Sequence, residues 1–170
     1  MLKTLFPALA AVLMLAACSN SDSSTANGSA AGAGGAGGAG GTRIARPGSQ
    51  EDLVANVGDR VFFDTDKSAI NGSTAPARNN GQTLDKQAAW LKQYPQNMVT
   101  IAGNADERGT TEYNLALGQR RAQAAQAYLV ARGVAQSRIN VVSYGKERPT
   151  ALGSTADAWA QNRNAITSVR

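Results

Sequence analysis

Asp106 and Arg121 are the two residues whose types and spacing most suggest chemistry. A strand-like run, Met98 to Ala102, ends at Gly103. A polar loop, Asn104 to Gly109, then leads into a long helical stretch. An acid in that loop suits an ammonium group, and an arginine reaching the same place from the helix suits a carboxylate. Together they can face one small zwitterion from two sides. Backbone N–H groups at the start of the helix can also bind an anion, and Asn104 offers both a donor and an acceptor. The same residues admit a purely structural reading, in which Asp106 and Arg121 pair with each other or cap the helix.

Helical phase separates Arg121 from its neighbour. Arg121 shares a face with Leu117, Ala124, Ala125 and Tyr128, the more apolar side of an alanine-rich stretch. Arg120 lies about 100° away and reads as solvated. An arginine on the apolar side needs partners, and its planar fork fits a carboxylate.

Composition removes several classes of function. Lys+Arg is 17 against Asp+Glu 12, a net charge of +5, but aromatics are 5% and no basic run exists. That is not the pattern of a nucleic-acid surface. The chain has no histidine, so imidazole general-base chemistry and histidine metal sites are absent. Its one cysteine, Cys18, forms no disulfide within the chain. Asp64 and Asp66 are too few for a calcium or magnesium site, so no metal is expected. Asp64, Asp66, Asp106 and Glu107 supply acids, but no pattern marks an acid/base pair and basic neighbours keep them ionised. The expectation is a binding module, not an enzyme. Trp90 and Trp159 read as packing residues rather than sugar platforms.

The residues before the domain read as an address. Lys3 precedes an apolar run from Leu5 to Ala17, too short to remain as a spanning helix. The run ends Leu15-Ala16-Ala17-Cys18, which resembles a bacterial lipobox. That resemblance implies a lipoprotein signal peptide over residues 1–17 and acyl chains, palmitate among them, on Cys18. The bare pattern also fits an ordinary secretory signal with an incidental cysteine. Ser19 after the cysteine implies sorting to the outer membrane. Residues 18–50 read as the acylated cysteine and a Gly/Ala/Ser-rich tether, with a root-mean-square span of roughly 30 Å.

Residues 51–170 are long enough for one core. Strands are expected at Asp59–Phe63, Met98–Gly103, Arg138–Tyr144 and Asn164–Val169. Helices are expected at Gln82–Gln93, stopped by Pro95, and at Glu112–Arg132, capped by Gly133. Short helices are expected at Glu51–Asn56 and Asp157–Asn162, and Asn71–Asn80 reads as irregular. The order predicts an α/β fold, a two-layer α+β sandwich with two main helices packed on a mixed sheet of about four strands.

Three motifs, taken in order, resemble the OmpA-like C-terminal domain family and its peptidoglycan-associated lipoproteins. They are Val61-Phe62-Phe63-Asp64-Thr65-Asp66-Lys67, Gly103-Asn104-Ala105-Asp106-Glu107-Arg108-Gly109-Thr110, and Tyr113-Asn114-Leu115-Ala116-Leu117-Gly118-Gln119-Arg120-Arg121-Ala122. Val142 to Pro149 and Asn162-Arg163 continue the match, so it covers about residues 57–169. The resemblance implies a βαβαβ-β domain that grips the peptide stem of peptidoglycan without catalysis and without a cofactor. The ligand implied is meso-diaminopimelate. Asp106 would accept its ammonium and Arg121 would clamp its carboxylate. Asn104, Ala105, Asp64 and Asp66 would complete the pocket, chiefly through backbone amides, with Phe63 and Leu117 as walls. Implied partners are peptidoglycan, the outer membrane through the lipid, and the Tol proteins, TolB above all, in envelope integrity and cell division. A lipoprotein anchor for another envelope machine is the alternative within the family. Asn104 stands where many members have histidine, which implies an affinity flat between about pH 5.5 and 7.5. Asn164 stands where a second arginine is usual.

Overall fold

The computed structural model describes residues 45–170. Cys18, the signal segment and residues 19–44 of the tether lie outside the described residues. The packed chain begins a little earlier than the sequence suggests. Gly48 and Gln50, read as tether, are engaged: Gly48 N–H donates to Asp52, Asn97 donates to the Gly48 carbonyl, and Gln50 accepts from Val169 N–H. A short helix α1, Gln50–Asp52, runs into a wide turn over Leu53–Val57. Asp52 anchors this lead-in by also accepting from the Trp90 indole at 2.9 Å.

Four strands follow: β1 Arg60–Phe62, β2 Val99–Asn104, β3 Ile139–Gly145 and β4 Asn164–Val169. They form one mixed sheet in the order β1-β4-β2-β3. β4 runs antiparallel to both its neighbours, and β2 runs parallel to β3. The two long helices are α3, Asn80–Gln93, and α4, Thr111–Ala131, with the short α2, Ala75–Arg78, before them and α5, Ala156–Asn162, late in the chain. The expected α/β sandwich with a mixed four-stranded sheet is what forms.

Alternation on β2 puts Val99 and Ile101 into the core, fully buried, beneath α3 and α4. From α3 come Leu84, Ala88 and Leu91, spaced by four and three. The buried stripe of α4 is Asn114, Leu117, Gly118, Arg121, Ala122, Ala125 and Leu129. It has helical spacing, yet two of its members are polar, so hydrophobicity alone shows it poorly. Thr110 caps the start of α4 by accepting from Tyr113 N–H. Gly133, with φ 88°, ends it: Gly133 N–H donates to Val130 and Val134 N–H donates to Leu129.

The stretch Asn71–Asn80, expected to be irregular, contains α2. Its cause lies ten residues upstream. The Asp64 carboxylate accepts from the backbone N–H of Ser73 (2.7 Å) and Thr74 (3.1 Å), and from both hydroxyls. It thereby satisfies donors that open the helical turn, with Pro76 just inside. The Thr74 hydroxyl and Ser73 N–H hold the Asp64 carboxyl well below the usual carboxylate range. Its stabilisation is therefore complete above its ordinary value near pH 3.8 and is lost as pH falls toward the lowered one. Asp64→Ala is expected to lower stability at pH 7 by about 1 kcal/mol. Urea unfolding of both proteins from pH 7 down to 2 should show the two curves converging in acid.

Candidate functional site

Arg121 is fully buried one helical turn after Gly118. Its guanidinium reaches three backbone carbonyls: Nε to Lys67 at 2.8 Å, one terminal nitrogen to Asn104 at 2.8 Å and the other to Asp64 at 3.2 Å. Asp64 and Lys67 are the two ends of one turn, closed by Lys67 N–H on the Asp64 carbonyl, with Asp66 in the left-handed region at φ 58°. Arg121 thus staples the turn after β1 to the end of β2. Three of its five N–H groups are committed, and two remain. Phe63 packs beneath it, the guanidinium carbon 5.2 Å from the ring centre. Burial pushes the Arg121 guanidinium down to about 10, and Arg163 nearby adds to this, while Asp106 and Asp66 oppose it. The group stays charged at neutral pH. No carboxylate lies within ion-pair distance of it among the described residues.

Asp106 is buried at the head of the following loop. It accepts from Arg108 twice, at 3.1 and 2.7 Å, and from Arg163 at 3.3 Å. Burial raises its carboxyl, but the Arg108 and Arg163 contacts outweigh this, and the net shift is downward. Asp106 therefore presents an anion at neutral pH. Arg163 is itself fixed by donating to the Phe63 carbonyl at 3.0 Å. The structural alternative from the sequence is replaced: Asp106 pairs with Arg108 and Arg163, not with Arg121.

Between Asp106 and Arg121 lies a cavity of about 330 Å³. Thr65 and Asp66, Ala105 and Asp106, Arg108, Tyr113 and Leu117 contribute to its lining with Arg121. Tyr113 spans its rim by donating to the Asp66 carboxylate. Asp66 and Asp106 bring carboxylates to the lining, Arg121 a buried cation and Arg108 a cation paired to Asp106, and Leu117 supplies an apolar side. Such a cavity suits a small molecule carrying an ammonium and a carboxylate on an aliphatic chain.

Residues 62–163, more than half of the chain, match the OmpA family. A peptidoglycan-associated lipoprotein of Rhizobium meliloti (strain 1021) is 54% identical over 123 residues, which cover 72% of this chain and 66% of that protein. One of Haemophilus influenzae is 42% identical over 155 residues, covering 91% and 90%. The chain belongs to the OmpA family, among its peptidoglycan-associated lipoproteins. The crystal structure of the peptidoglycan-associated lipoprotein from Burkholderia pseudomallei is similar to this OmpA-family chain, with a TM-score of 0.61 and 39% identity. That likeness covers 70% of this chain and all of the other.

The OmpA-family site differs in detail from the expected one. Asp106, Arg121, Asp66, Ala105 and Leu117 do converge on the cavity. Asn104 does not. Its side chain is buried and donates to Asn164 at 2.7 Å, because alternation turns it away from the face where Gly103 meets α4. Only its backbone carbonyl serves the site, through Arg121. The Asn164 amide in turn donates to Thr150 and to the Gln161 carbonyl, so the two asparagines form a buried polar link rather than a ligand contact. The Asp64 carboxylate is spent on Ser73 and Thr74, and only its carbonyl faces Arg121. Phe63 is a floor under Arg121, not a wall. The Ala105 N–H is taken by the Gly145 carbonyl at 2.8 Å, so it is not one of the amides that finish the pocket.

Arg120 is exposed, its guanidinium over the Tyr113 ring at 5.9 Å. Thr65, Arg108, Gly109, Tyr113 and Asn114 of the lining, and Arg163 behind Asp106, are not among the site residues the sequence points to. Arg108 lies two residues from Asp106 and was open to detection by that spacing. Tyr113 meets Asp66 across 47 positions, and Arg163 meets Asp106 across 57, which no local pattern shows. Trp159, read as packing, stacks under Arg108 at 4.3 Å and donates to Glu107.

Proposed function

We propose that this chain is an outer-membrane lipoprotein that binds the diaminopimelate stem peptide of peptidoglycan without cleaving it. Lipid on Cys18 holds the membrane, the folded domain holds the wall from the periplasmic side, and the Gly/Ala-rich segment joins them. No cofactor takes part. Many weak bonds acting together keep the envelope attached. The Tol proteins, with TolB foremost, are its partners in envelope integrity and cell division.

One observation supports this reading above the rest. Arg121 is a buried cation whose partners are neutral carbonyls, and it opens on the same cavity as the Asp106 anion. A buried charge without a counter-charge is unfavourable, and a ligand carboxylate on its two remaining N–H groups relieves it. The amine of the same ligand residue then meets Asp106. The names of the relatives point to peptidoglycan as the source of such a residue.

NMR titration with a muramyl tripeptide ending in meso-diaminopimelate, beside its lysine counterpart, tests the reading. The lysine peptide lacks the terminal carboxylate and should bind at least about tenfold more weakly. Equal affinities would remove Arg121 from the recognition. Affinity should also stay level between about pH 5.5 and 7.5, since the chain has no histidine and Asp106 is held ionised well below that range.

A further inference from the structure

Arg108 places a cation of the chain's own on the carboxylate that the proposed ligand needs. Its guanidinium meets Asp106 through two nitrogens, at 3.1 and 2.7 Å, and it lines the cavity. Its other face rests on the Trp159 ring at 4.3 Å, and the Trp159 indole N–H donates to Glu107 at 3.0 Å. An acid and an aromatic face are thus already next to Arg108 on the side away from the cavity. Arg163 approaches the same carboxylate differently: it is buried and pinned to the Phe63 carbonyl, whereas the Arg108 side chain is 43% exposed.

We propose that Arg108 is a specificity-determining residue, an internal rival that the ligand's ammonium must displace from Asp106 onto Trp159 and Glu107. The inference rests on the diaminopimelate reading of the cavity and adds a selection step to it. A neutral or anionic group cannot take over the Asp106 carboxylate from a guanidinium, while an ammonium can. Displacement leaves Arg108 with a seat: the Trp159 ring supports a cation and Glu107 supplies the charge.

The loop keeps its shape without the Arg108 side chain. Arg108 N–H donates to Asp106 and the Arg108 carbonyl accepts from Asn114 at 2.8 Å, both through backbone atoms. Arg108→Ala therefore removes the rival, with its stacking on Trp159 and its part of the cavity lining, and keeps the backbone contacts of the loop. Its affinity for the muramyl tripeptide ending in meso-diaminopimelate should rise by about two- to fivefold, the factor that corresponds to measured exposed ion pairs. In the parent protein the Trp159 indole N–H resonance should move on titration as Arg108 shifts. In Arg108→Ala that movement should shrink.

A role in merely stiffening the loop, or in gripping the ligand directly, has the opposite sign. Parent protein that binds, with Arg108→Ala binding equally or more weakly, overturns the inference and leaves the site reading in place. A Trp159 resonance that stays still in the parent at saturation also overturns it. No binding by either protein removes the inference and the reading beneath it together.

Discussion

Arg121→Ala should no longer sediment with purified peptidoglycan, and its unfolding free energy should fall by about 3 kcal/mol. The two effects have one origin. The side chain holds the carbonyls of Asp64, Lys67 and Asn104, and a truncated residue leaves all three to find water at the edge of a cavity. Each unpaired group is worth about 1–3 kcal/mol when buried, and partial hydration keeps the total near the lower end. An experiment on this variant alone cannot separate lost binding from a lost turn. Asp106→Asn separates them. It keeps the size of the side chain, removes the anion, and leaves Arg121 and its carbonyls untouched. It should bind about 10- to 100-fold more weakly, the range for a charge-assisted contact, and its unfolding midpoint should fall because buried Arg163 loses its counter-charge, while the turn held by Arg121 persists. If Asp106→Asn sediments as the parent does, the carboxylate is not part of the recognition.

Gly103→Ala should lower stability by about 3 kcal/mol, read as a fall of roughly 10 °C or more in the thermal midpoint. Gly103 on β2 and Gly118 on α4 meet backbone to backbone. A Cβ on Gly103 would run into the Gly118 carbonyl, with the carbonyl carbon at 2.7 Å and the Ala122 Cβ at 3.2 Å. A Cβ on Gly118 would stand 2.7 Å from the Gly103 oxygen. The Ser143 hydroxyl also crowds Gly118, but the obstacles that Gly103 and Gly118 present to each other are backbone and cannot rotate aside, so the helix itself must retreat. Arg121 lies three residues beyond Gly118 and reaches the carbonyl of Asn104, the residue after Gly103. A retreating helix therefore loosens the staple, and affinity should fall along with stability. An unaltered midpoint would show that the helix has room that the contact denies.

Most elements could be read from the chain because their causes are local. Val99 and Ile101 alternate, Leu84, Ala88 and Leu91 keep helical spacing, and Gly133 stops α4 by its conformation. The choice of Arg121 over Arg120 needed only helical phase. Errors gather where the cause is distant. The α2 turn depends on an acid ten residues back, and the Asp106 environment depends on Arg163. Asn104 is different. Its donor and acceptor groups and the family resemblance point to the pocket, yet the alternation that buries Ile101 and brings Gly103 to α4 turns its side chain to the other face. Asp64 was similarly hidden: its carboxylate and its carbonyl serve opposite sides of one residue.

The strand order has a consequence for biosynthesis. β1 has β4 as its hydrogen-bonded neighbour, and β4 also separates β1 from β2. A nascent chain thus carries its first strand for about a hundred residues with no strand to pair it, held meanwhile by Asn80 of α3 on the Phe62 backbone. Arg163, at the threshold of β4, holds both the Phe63 carbonyl and Asp106, so the pocket comes together with that same last segment. A chain delivered amino end first through a narrow pore could complete neither the sheet nor the Asp106–Arg163 pairing until residues 163–169 had passed. The grip would arrive only with the finished sheet.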